Sequence, residues 1–455
     1  MKLLKTHLHI YQLEGYQPKR FLNWWLKHPF THQVSNKTPL VYTAKTKIFI
    51  FLSYLILLTS IFISPWLFLI FLIQPFLLLF ISTLIRKPDE FIIKWLTIKK
   101  TRQQLLNQPQ LITIGITGSY GKTTTKDMLF NILNNYQPTL KTPKSYNTIF
   151  GIAKVVNLEL TNKLKYFICE MGAYVKGEIK TLCYQVPPQY AILTAIGTQH
   201  LERFKTIKNT TLAKFELIDA VNPKNALVNI DNPHIKNHLI ASASFPRRRE
   251  SIPINTYSFK DPQATFFVSK FNLSPQGASF IIKTKNKSHH FTTPLFGTVN
   301  IENLVAAISM AIMLKVPVQI IKDSVSKLTP SPNRLELKKI GNATIIDNSY
   351  SSNQAGFKKI MTDLSKLPGK KALITPGIVE LGQKTAIIHQ ELGQQANKIF
   401  NTIKLIGQSD RTLSFKSTAP HSQILPASTP IWPLAKKLSK THSWVLIEND
   451  LPDNY

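Results

Sequence analysis

The sequence has few cysteines and few acidic residues. Two of its 455 residues are cysteines, Cys169 and Cys183, which excludes a disulfide-stabilised scaffold and suits a protein of a reducing compartment. We interpret both thiols as small buried apolar groups. Aspartate and glutamate number 24 against 56 lysines and arginines, a formal net charge of +32. That excess favours anionic partners, but the basic residues are spread along the chain, so we expect no nucleic-acid partner.

Charged residues are absent from positions 48–85. As one helix this stretch would be about 57 Å long, nearly twice a hydrocarbon core of about 30 Å, and Ser64–Pro65 offers a break. We therefore predict a transmembrane helical hairpin with spans over 48–63 and 66–85. A re-entrant hairpin and a buried core hairpin are the alternatives.

The flanking and following segments suggest a domain order. Residues 1–47 form a basic N-terminal segment with eight lysines and arginines against one acidic residue, and residues 86–110 form a connector. Basic flanks on both sides of the hairpin predict that both face the cytoplasm. From residue 111 onward, apolar β-branched runs alternate with helical stretches, which is typical of parallel strands with crossover helices. A second α/β unit follows Pro330.

A glycine-rich segment, GITGSYGKTTTKDM at 115–128, follows the strand-like LITIGI and precedes a helix-like stretch. In this arrangement backbone N–H groups and the helix N-terminus bind phosphate. Lys122 would neutralise the β- and γ-phosphates, and the Thr123 hydroxyl would bind Mg²⁺. Position 116 is isoleucine where the general ATPase signature has glycine, so this motif alone also fits a turn of another α/β fold. The predicted nucleotide-binding residues of the loop are Gly118, Ser119, Tyr120, Gly121, Lys122, Thr123 and Thr124.

Further motifs follow the loop in a fixed order. They are YFICEMGAYVKGEIKTL, AILTAIGTQHLERF, TLAKFELI, GTVNIENLVAAISMA, PNRLE and IIDNSYSSNQAG. Together they resemble the Mur ligase family, ATP-dependent amide ligases of peptidoglycan precursor synthesis, and its MurF-type members in particular, over about residues 111–407. The resemblance implies an α/β fold with a central P-loop ATPase-type domain over 111–329, built on a parallel sheet. A smaller Rossmann-like C-terminal α/β domain over 330–455 would follow, with the transmembrane hairpin ahead of both.

Catalytic and metal-binding roles follow from the same resemblance. Family chemistry joins a carboxylate to ATP as an acyl phosphate, which an amine then attacks, so cations should stabilise a site crowded with anions. Glu170 ends a strand and has the hard oxygen ligands that Mg²⁺ prefers. Lys214 matches a lysine that several Mur ligases carbamylate, and the modification is left open here. The implied metal site comprises Thr123, Glu170, His200 and Lys214, and the implied catalytic residues are Lys122, His200, Lys214 and Arg334.

Nucleotide contacts outside the loop are also implied. Asn147 matches an asparagine of the nucleotide site, and Asn300 and Asn303 match positions whose amides suit the edge of adenine. Arg334 would reach the γ-phosphate from the C-terminal domain and Asp347 the ribose, so domain closure would complete the site.

The resemblance implies an ATP- and Mg²⁺-dependent, ADP-forming amide ligase that joins an anionic carboxylate substrate to an amine or dipeptide in cell-wall synthesis. Two alternatives are a membrane-bound ligase for another amide polymer, such as poly-γ-glutamate, and an inactive membrane-anchored nucleotide-binding scaffold. Together with the predicted hairpin, the family resemblance predicts an integral protein of the bacterial inner membrane with two spans and cytoplasmic catalytic domains.

Overall fold

The computed structural model describes most of the chain. The described residues are 2–27, 40–84, 88–143, 146–199, 201–243, 253–330, 332–350 and 352–449. They divide into two compact units, one ending at Ile93 and one beginning at Lys94.

The N-terminal unit is helical. Its helices are α1 (Lys2–Leu13), α2 (Pro18–Lys27), α3 (Ala44–Ile63), α4 (Pro65–Leu72) and α5 (Gln74–Leu84), and α6 (Pro88–Leu106) begins in this unit. A small core joins α1, α2, α3 and α5, with Leu8, Tyr11, Phe21, Phe49 and Leu77 fully or almost fully buried. The unpatterned basic segment of the sequence thus contains two helices that pack on the apolar ones.

The predicted two-span hairpin is not supported. Among the described residues one helix, Lys45–Ile63, is long and apolar enough to cross a membrane, with 19 residues and a mean hydropathy of 2.1. The second predicted span is broken into Pro65–Leu72 and Pro75–Ser82, which are bent by 102°. Proline lacks an N–H donor and clashes with the preceding turn, so Pro75 prevents the first piece from continuing. One helix of this kind is weak evidence for a membrane span, because the core helices of soluble proteins have the same length and composition.

The second unit begins with a nine-stranded sheet in the order β2-β3-β1-β4-β5-β6-β7-β8-β9. Strands β1 to β7 pair in parallel, and β8 and β9 add an antiparallel meander. The strands are β1 (Ile112–Thr117), β2 (Thr139–Lys141), β3 (Tyr166–Glu170), β4 (Tyr190–Leu193), β5 (Ala226–Asn229), β6 (Asn255–Ser258), β7 (Phe266–Ser274), β8 (Gly277–Lys283) and β9 (Ser288–Thr293). The accompanying helices are α7 (Lys122–Asn134), α8 (Ile149–Glu159), α9 (Glu178–Gln185), α10 (Leu201–Phe204), α11 (Ile207–Ile218), α12 (Pro233–Ala243), α13 (Thr298–Met313) and α14 (Val318–Ser326).

Helices cover both faces of the parallel part of this sheet. Ile114 and Ile168 face a core that includes residues of α7 and α13, whereas Phe167 and Cys169 face a second core built with α8, α9 and α11. Burial on both faces explains why the strands are continuous apolar runs. The two cysteines are free and buried, as predicted.

A six-stranded sheet follows, in the order β10-β11-β15-β12-β13-β14. Only β10 is antiparallel to its neighbour. Its elements are β10 (Glu336–Ile340), β11 (Ala343–Asn348), α15 (Gln354–Ser365), β12 (Lys371–Thr375), α16 (Thr385–Asn397), β13 (Thr402–Ile406), α17 (Asp410–Thr418), β14 (Gln423–Leu425), α18 (Ile431–Leu438) and β15 (Trp444–Glu448). The predicted α/β fold with mainly parallel sheets is therefore confirmed.

The core of the second sheet generates a stability prediction. Phe357 of α15 is fully buried there, so Phe357→Ala should lower the free energy of unfolding by about 3–5 kcal/mol. Ile387 of α16 is 61% exposed, and Ile387→Ala should change it by less than about 0.5 kcal/mol. Urea unfolding followed by far-UV circular dichroism measures both, and equal effects of the two substitutions would contradict the described packing.

Candidate active site

The phosphate-binding loop connects β1 to α7 at the carboxyl end of a central strand. Gly121 has a φ of +83°, and a β-carbon there would lie 2.3 Å from Oδ1 of Asn303, so only glycine fits. Lys122 folds back over the loop, where its Nζ donates to the carbonyl oxygens of Gly118 at 2.8 Å and Ser119 at 3.3 Å. The loop therefore holds an ammonium group at the N-terminus of a helix, a place that favours anions.

A buried carboxylate lies beside the loop at the end of β3. Glu170 accepts hydrogen bonds from Thr123 Oγ1 at 2.9 Å, Lys126 Nζ at 3.1 Å and Asn147 Nδ2 at 3.1 Å. Burial alone would raise the pKa of Glu170, but the charges of Lys126 and Lys122 and the hydrogen bonds lower it overall. The side chain is thus held as a carboxylate next to the loop threonine.

Sequence reasoning missed Lys126, which is fully buried and forms an ion pair with Glu170. It lies three residues after Thr123 and therefore on the same face of α7. That spacing could have identified Lys126 as part of the site, because a lysine on a helix face that packs against the sheet must have a charged or hydrogen-bonding partner.

Lys214 lies on α11 and is also buried. Its Nζ is 3.5 Å from the carbonyl oxygen of Ala173 and 5.6 Å from the ring centroid of Phe204. Burial, together with the positive charge of Lys122, lowers the pKa of Lys214 to about 7, although three glutamates oppose the shift. Near pH 7 a substantial fraction of this amine is neutral and therefore nucleophilic. The site is thus compatible with either an unmodified or a carbamylated Lys214.

The segment just before the second sheet contributes a cation to the same region. The Arg334 guanidinium stacks 4.3 Å from the ring centroid of Tyr350. Its neighbours Asn333 and Leu335 both have left-handed backbone conformations, with φ of +59° and +53°. Such conformations are unfavourable for leucine and cluster at functional sites, so the surrounding structure fixes how this segment presents Arg334.

Lys122, Glu170 and Arg334 line one cavity of about 310 Å³. Its lining residues come from the loop, the ends of the first sheet, α13 and the second domain: Ser119, Tyr120, Gly121, Lys122, Thr123, Thr124, Asn147, Glu170, Tyr174, Gln199, Val299, Asn300, Asn303, Arg334, Leu335, Asn348, Tyr350, Asn353, Gly356, Ile360 and Glu448. The structure thus brings together most of the predicted nucleotide-binding residues. Gly118 and Lys214 are not in the lining, and His200 lies outside the described residues.

Asp347 is placed away from this lining. Its carboxylate accepts from Lys338 Nζ at 2.7 Å and from the Ser349 hydroxyl at 2.6 Å. Neighbouring residues of a strand point to opposite faces, and the next residue, Asn348, lines the cavity instead. The proposed ribose contact of Asp347 stays a prediction.

A second buried carboxyl group, Glu448 at the end of β15, also lines the cavity and was not predicted. It accepts hydrogen bonds from Asn348 Nδ2 at 2.9 Å and from the Ser352 hydroxyl at 2.5 Å. Burial raises the pKa of Glu448 to about 7, although the two hydrogen bonds act in the opposite direction. These two hydrogen-bond partners of Glu448 are neutral, whereas Glu170 is paired with the Lys126 cation.

The residues present fit a magnesium ion only in part. The Glu170 carboxylate and the Thr123 hydroxyl are 2.9 Å apart and offer hard oxygen ligands. The described residues contain no cluster of three or more histidine, cysteine or acidic side chains. Mg²⁺ usually binds through one or two carboxylates plus substrate phosphates, so this pair suits an ion that arrives with a nucleotide.

Comparisons with known proteins agree with this geometry. Residues 116–311 match the Mur ligase middle domain. The UDP-N-acetylmuramoyl-tripeptide–D-alanyl-D-alanine ligase of Buchnera aphidicola is 29% identical over 72% of this chain and 70% of its own length. A MurF crystal structure from Acinetobacter baumannii has a TM-score of 0.69 and 25% identity, covering 78% of this chain and 77% of its own. A MurF ligase from Thermotoga maritima in complex with ADP shares the fold, with a TM-score of 0.68, 22% identity and coverage of 78% and 80%.

A phosphate-binding loop that faces the second sheet across one cavity, with cations around a buried carboxylate, is an arrangement that suits an ATP-dependent ligase. In sequence and in fold the chain is similar to the Mur ligase family, and to its MurF members in particular.

The predicted location, an integral protein of the bacterial inner membrane, is wrong. The matched proteins are named as ligases or as MurF, and the described residues contain one weak candidate helix instead of two spans. The membrane prediction came from the uncharged apolar stretch and its basic flanks, and in the structure that stretch breaks and packs against α1 and α2.

The buried ion pair generates a stability prediction. Lys126→Met leaves the Glu170 carboxylate without its closest cation, and we expect a loss of about 3–5 kcal/mol in the free energy of unfolding. Lys358 forms an exposed pair with Glu391, so Lys358→Met should cost about 0–1 kcal/mol. Urea unfolding at pH 7.5 compares the two, and a small cost for Lys126→Met would show that the pair is not coupled to folding.

Glu448 generates a pH prediction. Its folded pKa of about 7 exceeds the unfolded value of 4.5, so the stability it contributes is present below pH 4.5 and is lost as pH rises to about 7. Glu448→Gln should therefore match the wild type at pH 4.5 and exceed its stability at pH 8, by an amount on the order of a few kcal/mol. Unfolding midpoints across this pH range measure the difference, and parallel curves would contradict the raised pKa.

Proposed function

We propose that this chain joins D-alanyl-D-alanine to UDP-N-acetylmuramoyl-tripeptide in peptidoglycan precursor synthesis. The proposal depends on one observation, a set of cations and oxygen ligands around one cavity: Lys122, Thr123, Glu170 and Arg334. The chain that holds them resembles ligases named for this reaction. The first step would form a bond between the substrate carboxylate and the γ-phosphorus of ATP and release ADP. The dipeptide amine would then attack the acyl carbon, and inorganic phosphate would leave.

Each step concentrates negative charge in the cavity, and the proposed residue roles follow from that. Lys122 and the loop N–H groups would hold the β- and γ-phosphates, and Arg334 would approach them from the second domain. Glu170 and Thr123 would hold Mg²⁺, which supplies charge neutralisation at the transferred phosphate. Asn300 and Asn303 are proposed to contact adenine, because both line the cavity on α13.

The roles of the remaining residues are proposals from the family resemblance. Lys214 is buried 3.5 Å from the Ala173 carbonyl, and burial lowers its pKa to about 7, which supports a role as a neutral or carbamylated group. His200 is proposed as a second metal ligand because it matches a family position. Asp347 is proposed for the ribose on the same ground.

An activity assay tests the proposal. Purified protein with ATP, Mg²⁺, UDP-N-acetylmuramoyl-tripeptide and D-alanyl-D-alanine should form ADP, phosphate and the pentapeptide product. Lys122→Ala removes the cation that folds back over the phosphate-binding loop and should lower kcat by about 10²–10³-fold. Lys358→Ala changes an exposed lysine and is the matched control. Product from other acceptors alone would disprove the substrate assignment, and full turnover by Lys122→Ala would disprove the site.

A further inference from the structure

The proposed nucleotide cavity has one acidic side chain on its wall that none of the roles assigned above uses. Glu448, the last residue of β15, is fully buried and lines the cavity together with Lys122 and Arg334. A triphosphate brings several negative charges into such a cavity. A buried acidic group beside it therefore has to be paired with a cation or has to be neutral.

The neighbours of Glu448 do not balance a negative charge. Its two carboxyl oxygens accept from Asn348 Nδ2 at 2.9 Å and from the Ser352 hydroxyl at 2.5 Å, and both donors are neutral. The ion pairs found among the described residues do not include Glu448. Burial raises the pKa of Glu448 to about 7, so near neutral pH a large fraction of the group is already protonated.

The position of the carboxyl group is fixed by the strands around it. Strand β15 lies between β11 and β12, and Glu448 is in register with Asn348 of β11. The next residue, Asn449, donates its N–H to the Asn348 carbonyl oxygen at 3.1 Å and its side-chain amide to the Gly377 carbonyl oxygen at 2.6 Å. The end of β15 is thus held from both sides, which keeps Glu448 on the cavity wall.

The charges that share the cavity show what protonation of Glu448 changes. The elements packed against it present neutral groups, since β11 contributes Asn348, the segment before α15 contributes Ser352, and β12 ends at Thr375. The titratable and charged groups that line the same cavity are Tyr120, Lys122, Glu170, Tyr174, Arg334 and Tyr350. A Glu448 carboxylate would offset one of the two cations that face an anionic ligand, whereas the neutral acid leaves both effective.

We propose that Glu448 binds the nucleotide as a neutral carboxylic acid, which donates its O–H to an oxygen of the ligand. The proposal rests on the nucleotide-binding part of the proposed function. A protonated carboxyl group has one donor and can still accept from Asn348 and Ser352. An ionised group at the same place has no donor and repels the phosphates.

Proton uptake on nucleotide binding follows from this role. In the free protein the pKa of Glu448 is about 7, and an anionic ligand in the same cavity raises that pKa further. Below pH 7 the group is already mostly protonated, so binding requires little change. Above pH 7 a proton has to be taken from solvent before the ligand binds, so affinity falls as pH rises, by up to about tenfold per pH unit.

Isothermal titration calorimetry with Mg²⁺ and the non-hydrolysable ATP analogue adenylyl imidodiphosphate tests the proposal on the full chain. Glu448→Gln keeps a neutral donor and cannot ionise. It should bind the analogue as tightly as the wild type at pH 6.0 and roughly tenfold more tightly at pH 8.5. In two buffers of different ionisation enthalpy at pH 7.5, the wild type should take up about half a proton more per bound nucleotide than the variant.

Three comparisons isolate the effect of Glu448. Burial lowers the pKa of Lys214 to about 7, and its loss of charge weakens anion binding equally in wild type and variant, so the difference between the two is the readout. Glu448→Ala removes the donor and should bind the analogue several-fold more weakly than Glu448→Gln at pH 6.0. Glu391→Gln changes an exposed carboxylate and should keep the wild-type proton uptake. Circular dichroism at each pH confirms that the variants are folded.

The outcomes separate this proposal from the proposed function. Equal proton uptake by wild type and Glu448→Gln, with both binding the analogue, overturns the role of Glu448 and leaves nucleotide binding standing. Equal affinities of Glu448→Ala and Glu448→Gln at pH 6.0 overturn the donated hydrogen bond. A folded Glu448→Gln that does not bind at either pH shows that the carboxylate is needed and also overturns the proposal. Absence of binding by the wild type at every pH overturns both proposals.

Discussion

The site depends on keeping a carboxylate charged in a buried place beside a loop that binds anions. Glu170 is almost fully buried, and isolated burial of a carboxylate would be costly enough to neutralise it. Lys126 offsets that cost from within the sheet–helix interface, at 3.1 Å and without access to solvent. Because the same carboxylate also accepts from Thr123 and Asn147, one ion pair fixes the relative positions of β3, α7 and the segment before α8.

Helix α13 extends this arrangement to the second domain. Asn303 faces the loop so closely that Gly121 cannot carry a side chain, while the neighbouring Glu302 contacts Lys359 of α15. At the start of the same helix, the Thr298 N–H and hydroxyl both donate to Asp363 of α15 at 2.7 Å. One helix therefore contacts the phosphate loop and also positions the domain that presents Arg334.

Local motifs allowed much of the site to be predicted from the sequence. Glu170 ends β3, and Lys122 follows the loop after β1. Both strands are clear apolar runs, so the parallel-sheet pattern predicts that the two residues lie near each other. Asp347 shows the limit of that reasoning, because a shift of one residue in a strand reverses the face, and its neighbour Asn348 lines the cavity. The membrane prediction failed for a related reason: hydropathy records the absence of charge, but it does not show that Pro75 breaks the stretch or what packs on it.

Contacts between distant parts of the chain could not be predicted at all. Asp231 and Lys359 line one cavity although they are far apart in the chain, and no periodicity links a residue after β5 with one in α15. Their pairing depends on how the second domain lies on α13, which is fixed by side-chain contacts such as those of Glu302 and Asp363.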